Sequence, residues 1–353
     1  MRTEVDLELL GQTVVGLYRL KEGEVMSAVV HVGERLGLFA AVSEHQPVTS
    51  VELAAATGLH ERWVREWLLA VAAAGLADHD DGRFALTPEV AAVLVDEGHP
   101  ASMVGVFGPP ITHREIDRTI EAFATGIGMT WDEHGSHTCH FQAAMGAAGQ
   151  EAWLAPVILD AIDGLTDRLR SGITVVDVGC GAGVAAAAVA RAFPASTVIG
   201  LDPSGHAVAA AAERADGIDN LTISPGSFDT LDEVGPVDLL LTLDVIHDLP
   251  RPGDAVRRAR AALADDGVWL VADIKARGSL EENRAIPVVS LMYGMSIFYC
   301  MSSAMSEPNG AGLGTLGLTV DVFRELTDAA GFGSVATHEF EVDPMNRYFE
   351  LRP

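Results

Sequence analysis

A glycine-rich turn follows a strand-like run in residues 175–183, which read VVDVGCGAG. Glycines stand at positions 179, 181 and 183, and a residue without a Cβ lets a ligand approach the backbone closely. The spacing is G-x-G-x-G, whereas a dinucleotide fingerprint would place its third glycine at position 184, which is Val184. This turn could therefore bind a nucleotide-like ligand, either a dinucleotide that carries hydride or a donor that carries a methyl group.

Acidic residues end or follow the next three strand-like runs. Asp202 ends TVIGLD, Asp229 follows the third run, and Asp244 ends VDLLLTLD. The carboxyl ends of parallel strands meet at one edge of a sheet, where open sheets bind ligands, so these acids are expected to share a site. Asp202 could accept hydrogen bonds from both ribose hydroxyls, although each acid taken singly could equally be a helix cap.

The order of these motifs resembles that of class I S-adenosylmethionine-dependent methyltransferases. VELAAATGLHERWVREWLLAVAAAGL resembles the N-terminal winged-helix region of small-molecule O-methyltransferases, and GLGTLG with AAGF resembles a bacterial subgroup of them. The resemblance implies S-adenosyl-L-methionine as cofactor and S-adenosyl-L-homocysteine as product, with Asp229 and Phe228 at the adenine. The cofactor-binding residues that it implies are Asp177, Gly179, Cys180, Gly181, Gly183, Asp202, Pro203, Ser227, Phe228, Asp229, Asp244 and Val245.

The loop VIHDLPRP offers a candidate base. Methyl transfer to a hydroxyl needs a group that removes the proton, and His247 lies three residues beyond Asp244. Plant-type O-methyltransferases, which the chain resembles here, have His-Asp-Trp with the histidine as base, but Leu249 replaces the Trp. A basic role and a positioning or cofactor-side role for His247 both stay open. Asp248 is expected either to orient His247 or to cap a helix.

Two segments, 107–145 and 291–316, are expected to line the acceptor site. The predicted substrate contacts are Trp131, Phe141, Tyr293 and Phe298. A cluster of possible metal ligands lies in the first segment: His134, His137, Cys139 and His140. Their spacing fits no standard zinc ligand set, so we expect no metal site there.

From residue 171 onward, strands alternate with helices, which predicts an α/β fold with a Rossmann-like doubly wound sheet of seven strands. Five strands are predicted near 173–178, 197–202, 220–224, 237–243 and 267–273. An antiparallel hairpin follows, made of SVATHEFEV and RYFELR and joined through DPMN. This terminal hairpin is unusual for a dinucleotide domain, and with Val184 it counts against the alternative of a dinucleotide oxidoreductase.

Residues 25–97 predict a winged helix. A helical pattern covers 25–42, and a capping box from Thr49 to Glu52 begins the next helix, which ends at Gly58. A second helix is predicted over 60–75, followed by a hairpin turn at residues 81 and 82. Thr87 then caps a further helix. We expect a winged-helix or dimerisation domain over 1–100 and a helical connector and cavity wall over 101–170. The cofactor domain is expected over 171–353, with a lid insertion at 276–317.

The charge disfavours two classes of partner. The 353 residues carry 23 Lys and Arg against 50 Asp and Glu, a net charge of −27, and residues 1–100 carry seven against sixteen. Nucleic acid and anionic membranes need clustered cations, so neither is an expected partner. The charge also opposes the main alternative, a winged-helix transcriptional regulator that senses S-adenosylmethionine.

The remaining features suggest a cytoplasmic enzyme. The three cysteines are far apart, the N-terminus MRTEVDLELL lacks the pattern of a signal peptide, and the apolar run 291–305 is too short to span a membrane. The sequence thus predicts a homodimeric methyltransferase that acts on a small, apolar or aromatic acceptor, most plausibly at oxygen.

Overall fold

The structure, a computed structural model, describes residues 4–108 and 111–353. Residues 1–3, within the expected first domain, and residues 109–110, within the expected acceptor segment 107–145, lie outside this description. The chain forms two compact units that divide after residue 110. The domain boundaries that the sequence analysis expects, at residues 100 and 170, stay predictions.

The first unit has the helix, turn, helix and hairpin order of a winged helix. Its elements are helices α1 (Leu7–Arg35), α2 (Leu38–His45), α3 (Ser50–Thr57), α4 (Glu61–Ala73) and α5 (Pro88–Leu94), and strands β1 (Asp78–Asp80) and β2 (Arg83–Ala85). Thr49 and Glu52 form the predicted capping box at α3, and α3 ends at Gly58 in a left-handed conformation. The hairpin turns on Asp81 and Gly82, both at positive φ.

The helix predicted over 25–42 is wrong in its bounds. Helix α1 begins much earlier, where the Asp6 side chain accepts hydrogen bonds from the backbone of Glu8 and Leu9. It stops at Arg35 because Gly37 takes φ +66°, a left-handed conformation that breaks the helical path before α2.

The second unit surrounds one sheet with helices. Its helices are α6 (His113–Thr125), α7 (Trp131–His134), α8 (Ser136–Trp153), α9 (Leu165–Ser171), α10 (Val184–Ala192), α11 (Gly205–Ala215), α12 (Pro252–Ala262), α13 (Leu280–Asn283), α14 (Val289–Phe298), α15 (Cys300–Ala304) and α16 (Val320–Ala330). Its strands are β3 (Thr174–Val178), β4 (Thr197–Asp202), β5 (Leu221–Pro225), β6 (Val237–Leu243), β7 (Leu263–Ile274), β8 (Ser334–Phe340) and β9 (Asp343–Arg352). A π-helical turn spans Leu154–Leu159, and 3₁₀ turns span Phe228–Glu233 and Ile246–Asp248.

The predicted seven-stranded sheet is confirmed. Its strand order is β5-β4-β3-β6-β7-β9-β8, with β3 to β7 parallel and β9 antiparallel to both of its neighbours. The chain leaves β3 toward β4 on one side and later returns to place β6 on the other. This reversal gathers the carboxyl ends of β3, β4 and β6 around a crevice in which ligands can bind.

Two strand bounds differ from the prediction. The DPMN segment is not the hairpin connection but the start of β9, where Asp343 pairs with Phe340 and its carboxylate accepts a hydrogen bond from Tyr348 Oη at 2.6 Å. Strand β7 begins at Leu263, which pairs with Val237 ahead of a register shift. Alternation alone could not show this early start, because an irregular pairing interrupts it.

The sheet is buried on both faces. One face packs Val175, Leu239 and Leu241 against α10, and the other packs Val176, Leu240 and Trp269 against α12 and α16. Such continuous burial matches the apolar strand sequences and gives a rigid edge on which to build a site.

The longest helix among the described residues is α1, with 29 residues. No single helix among them has the length and apolar composition to cross a membrane. Helices α1 and α2 meet those requirements only as a pair, bent by 68°.

Candidate functional site

The glycine turn joins β3 to α10 at the carboxyl edge of the sheet. Gly179, Gly181 and Gly183 all take positive φ, at +76°, +54° and +74°. A Cβ added to Gly179 would lie 2.6 Å from a methyl group of Val245. The turn is therefore packed against residues 244–251, the loop that follows β6 and is called the β6 loop below. A Cβ at Gly181 would meet no atom within 4 Å. Open space therefore lies beside the backbone of Gly181, as a bound ligand would require.

Asp177 provides a buried acceptor below this turn. Its side chain is 1% exposed, and its Oδ2 has no hydrogen-bond partner. Burial, with a further contribution from the Asp202 charge, raises the pKa of Asp177 to about 7. An unpaired buried carboxylate oxygen is costly unless something donates to it. An ammonium or hydroxyl group of a ligand could supply that donor.

Asp202 holds the turn in place from the end of β4. Its Oδ2 accepts a hydrogen bond from Gly181 N and its Oδ1 one from Ser204 N, both at 2.9 Å. Burial raises the pKa of Asp202, while these two backbone donors oppose the shift. A carboxylate has about four acceptor positions, so two remain for ribose hydroxyls.

The segment after β5 holds the predicted cofactor contacts Ser227, Phe228 and Asp229, which differ in exposure. Phe228 is buried, and Ser227 caps the 3₁₀ turn by accepting a hydrogen bond from Asp229 N. The Asp229 carboxylate is exposed and forms an ion pair with Arg258 Nε at 2.8 Å. One oxygen of this predicted adenine acceptor is therefore already engaged by a cation.

The β6 loop starts with a strained residue. Asp244 takes φ +61°, unusual for a residue with a side chain, and its backbone N–H donates to Ala272 O at 2.9 Å. Val245 follows against Gly179, and Pro203 lies exposed after β4. Strain of this kind concentrates where a fold holds a functional loop in one shape.

His247 lies on the 3₁₀ turn of this loop, next to a carboxylate on the neighbouring strand. Its Nδ1 lies 2.7 Å from Asp273 Oδ1, and the two residues are 2% and 1% exposed. Burial alone would lower the pKa of His247, but Asp273 and Asp248 outweigh it and raise that pKa well above its ordinary value. Asp273 therefore holds the ring with Nδ1 protonated and Nε2 facing away.

Asp248 faces the other ring nitrogen. Its Oδ1 lies 3.2 Å from His247 Nε2, without the geometry of a hydrogen bond, and its Oδ2 accepts one from Trp131 Nε1 at 2.9 Å. Asp248 thus connects the β6 loop to α7, while the residue that orients His247 through Nδ1 is Asp273.

Aromatic side chains gather beside this pair. The rings of Trp131 and Tyr299 stack with centroids 6.1 Å apart, and Phe141 and His134 pack against Tyr299. Two predicted substrate residues, Trp131 and Phe141, are therefore brought together. Tyr293 is placed elsewhere, with its hydroxyl accepting a hydrogen bond from Asn283, and Phe298 is half-buried at the end of α14.

Of the three histidines predicted not to form a metal site, two lie next to the buried Glu115 and the third does not. His134 and His137 each place a ring nitrogen 3.4 Å from Glu115 Oε1, whereas His140 bonds to Ser136 O in its own helix. Burial lowers the pKa of His134, against the effect of Glu115. The expectation of no metal here stays a prediction.

Three residues of the site were missed by sequence reasoning: Asp273, Tyr299 and Cys300, whose sulfur lies within 4.8 Å of a ring nitrogen of His247 and a carboxylate oxygen of Asp248. Asp273 carried a usable signal, since it ends the predicted fifth strand at the ligand-binding edge. Tyr299 and Cys300 lie in an apolar insertion in which no local pattern distinguishes one residue from the next.

Two family models match the chain. Residues 169–298 match a methyltransferase domain, and residues 25–96 match an Rv2258c-like winged HTH domain. A curated relative, a ubiquinone biosynthesis O-methyltransferase of Caulobacter vibrioides, is 30% identical over 114 residues, which are 32% of this chain and 45% of that protein. The chain thus matches less than half the length of this relative.

Solved structures show the same fold over the full chain. Human N-acetylserotonin methyltransferase in complex with S-adenosylmethionine is 18% identical, with a TM-score of 0.69 and coverage of 100% of this chain and 99% of the other. An O-methyltransferase family protein of Burkholderia thailandensis is 18% identical, with a TM-score of 0.66 and coverage of 96% and 97%. These likenesses establish the fold. The matches do not favour the alternative of a transcriptional regulator.

Proposed function

We propose that the protein transfers a methyl group from S-adenosylmethionine to the hydroxyl of a small acceptor. Along the chain, residues that match a methyltransferase domain follow residues that match a winged HTH domain. The observation that carries the proposal is the buried pair of His247 and Asp273, 2.7 Å apart at the carboxyl ends of β6 and β7. When bound, S-adenosylmethionine supplies an already activated methyl group. The chain must then position the acceptor and remove its proton.

The cofactor would be held by the turn and the two acids beneath it. Gly181 leaves space at the backbone, Asp177 offers an unpaired oxygen, and Asp202 keeps acceptor positions free. Ser227 and Phe228 would contact the adenine. Asp229 could join them with the oxygen that Arg258 leaves free.

His247 would act as the general base. Asp273 keeps the proton on Nδ1, so Nε2 is the atom that would take the proton of the acceptor. The carboxylates that raise the pKa of this ring make it a stronger base, although it must first lose its own proton. Trp131, Phe141 and Tyr299 offer flat apolar surface, which favours an aromatic or apolar acceptor.

Two further proposals concern the whole protein. We propose a homodimer built on α1, whose apolar side chains are largely exposed in the single chain. We also propose a cytoplasmic location, which the three free cysteines favour.

Calorimetric titration with S-adenosylhomocysteine, with NAD and NADP in parallel, tests the cofactor. We expect one-site binding of the homocysteine compound alone; binding of NAD instead would overturn the assignment. Labelled S-adenosylmethionine and a panel of phenols and matched anilines then test the chemistry. We expect the wild type to methylate phenols and the His247→Ala variant to lose that activity. Faster methylation of anilines than of phenols would contradict transfer to oxygen.

A further inference from the structure

We propose that His247, Asp248 and Cys300 form a binding site for a zinc ion. One ligand atom from each residue lies within 4.8 Å of the other two. All three side chains are buried, at 2%, 6% and 6% exposure. The three residues come from two elements, the 3₁₀ turn after β6 and the first turn of α15.

The distances suit a tetrahedral metal. Zinc bonds of about 2.0–2.3 Å place neighbouring ligand atoms about 3.3–3.8 Å apart. His247 Nε2 and Asp248 Oδ1 are separated by 3.2 Å, close to that spacing. Cys300 Sγ lies within 4.8 Å of both atoms, so a movement of about 1 Å would bring it to the third corner.

Asp248 provides the second observation that favours a cation at this point. Its Oδ1 is buried and has no hydrogen-bond partner, although the other oxygen of the same carboxylate accepts one from Trp131. The imidazolium of His247 faces this oxygen at 3.2 Å without hydrogen-bond geometry. A metal ion in place of the Nε2 proton would satisfy the oxygen more completely.

The surrounding residues match those of known metal sites. Histidines that bind zinc through one nitrogen usually donate the other N–H to a carboxylate, which fixes the tautomer. Asp273 makes that contact with His247 Nδ1. Trp131 orients Asp248 in the same way, so two of the three ligands are held from outside.

The ligand types select the metal. A thiolate with an imidazole is typical of zinc, whereas magnesium and calcium prefer oxygen ligands alone. Binding requires the Cys300 thiol and His247 Nε2–H each to release a proton to solvent, so the sulfur binds as thiolate and the ring as neutral imidazole. Three protein ligands leave one position of a tetrahedral ion for a water molecule.

An effect of zinc on the reaction is expected only on the proposed function. Zinc would occupy Nε2 of His247, the same atom that serves as base, so bound zinc should block methyl transfer. The metal site itself does not depend on that function, because binding can be measured without any acceptor.

Cobalt(II) is the probe for the site, since it replaces zinc in such sites and its bond to sulfur is visible as a charge-transfer band. We expect the full-length protein to give that band with one equivalent of cobalt. Cys300→Ser should lose it, and the matched control Cys139→Ser should keep it. Absence of the band in the wild type, or its persistence in Cys300→Ser, would overturn the proposal.

Zinc affinity, measured by competition with a chromophoric chelator, provides the second test. Asp273→Asn should weaken binding by about 10- to 100-fold, because it removes the carboxylate behind His247. Unchanged affinity in both Asp273→Asn and Asp248→Asn would also overturn the site. Thermal unfolding of each variant separates loss of ligands from loss of the fold.

Zinc inhibition distinguishes the two proposals. If methyl transfer by the wild type is inhibited by zinc and that of Cys300→Ser is at least tenfold less sensitive, both stand. If cobalt binds through Cys300 but zinc leaves the reaction unaffected, the metal site stands and the basic role of His247 fails.

Discussion

His247 lies between two carboxylates that do different things. Asp273 contacts Nδ1 in good hydrogen-bond geometry, while Asp248 faces Nε2 without it. A buried imidazolium is tolerated only when it is paired, and this ring has a partner on each side. The orientation of the ring therefore depends on Asp273 more than on the neighbouring Asp248.

Replacing Asp273 by Asn should reduce the turnover number for methyl transfer by at least about 100-fold. The amide can accept at its oxygen or donate at its nitrogen, so it no longer fixes the proton on Nδ1. The affinity for S-adenosylhomocysteine, measured by calorimetry, should stay close to that of the wild type. Asp265→Asn, an exposed residue of the same strand, is the matched control. An equal loss of turnover and cofactor affinity would indicate a merely structural role.

Asp177 should make the stability of the protein depend on pH. Its pKa is about 7 in the folded chain, above its ordinary value of 3.8, so between these values the folded state holds a proton that the unfolded state has lost. The contribution of Asp177 to the free energy of unfolding therefore falls as pH rises from 4 to 7, by a total on the order of a few kcal/mol.

Asp177→Asn tests that dependence by urea unfolding. The amide does not titrate, so the variant should gain stability relative to the wild type between pH 5 and pH 8. Asp265→Asn should show no such change. The same stability difference between Asp177→Asn and wild type at both pH values would contradict the shifted pKa.

At the scale of elements, the β3–α10 turn is shaped by its contacts with strand β4, the loop after β6 and helix α11. Gly179 N donates to Leu201 O at 2.8 Å, and its Cα faces Val245. Gly183 approaches Ala211 of α11, where an added Cβ would lie 3.0 Å from the Ala211 methyl group. Among the three glycines, only Gly181 faces open space.

Gly181→Ala should lower cofactor affinity by at least about tenfold while costing about 1–2 kcal/mol of stability, the strain of a positive φ. Gly164→Ala is the matched control, since Gly164 has φ +71° and no atom within 4 Å of its added Cβ. Both variants should lose similar stability in thermal unfolding, but only Gly181→Ala should lose affinity for S-adenosylhomocysteine. Equal affinities would place the cofactor elsewhere.

At the scale of the whole molecule, α1 presents an apolar surface that the single chain leaves exposed. Leu7, Leu10, Val14, Leu17 and Tyr18 are 44% to 79% exposed. A surface of this kind usually contacts a partner, and a twofold pair of identical chains is the commonest arrangement. Two copies with a net charge of −27 each repel one another, so they are expected to associate through this apolar surface and not through charged ones.

A charge placed in this surface should separate the proposed dimer. We expect the wild type to sediment at about twice the 37.2 kDa of one chain and Leu10→Glu with Leu17→Glu to sediment as a monomer. Val51→Glu, at an exposed apolar residue of α3, is the control and should remain dimeric. A wild type that sediments as a monomer at micromolar concentration would contradict the proposal.

Sequence alone determined the features that depend on neighbouring residues. The glycine spacing, the acids at strand ends, the Thr49–Glu52 capping box and the turn at residues 81 and 82 follow from local rules of conformation and hydrogen bonding. Short apolar runs that alternate with helical patterns likewise predicted the sheet, since strands buried on both faces are almost continuously apolar. His247 was found in this way because it lies on a loop next to a predicted strand.

Tertiary structure alone decided which side chains meet His247. Asp273 is 26 residues away along the chain and reaches it because β6 and β7 are neighbours in the sheet. Trp131 reaches Asp248 across 117 residues, and Asp229 engages Arg258 through the packing of α12. Such contacts depend on strand order and helix packing, which are set by the burial of whole elements, so no short stretch of sequence contains them.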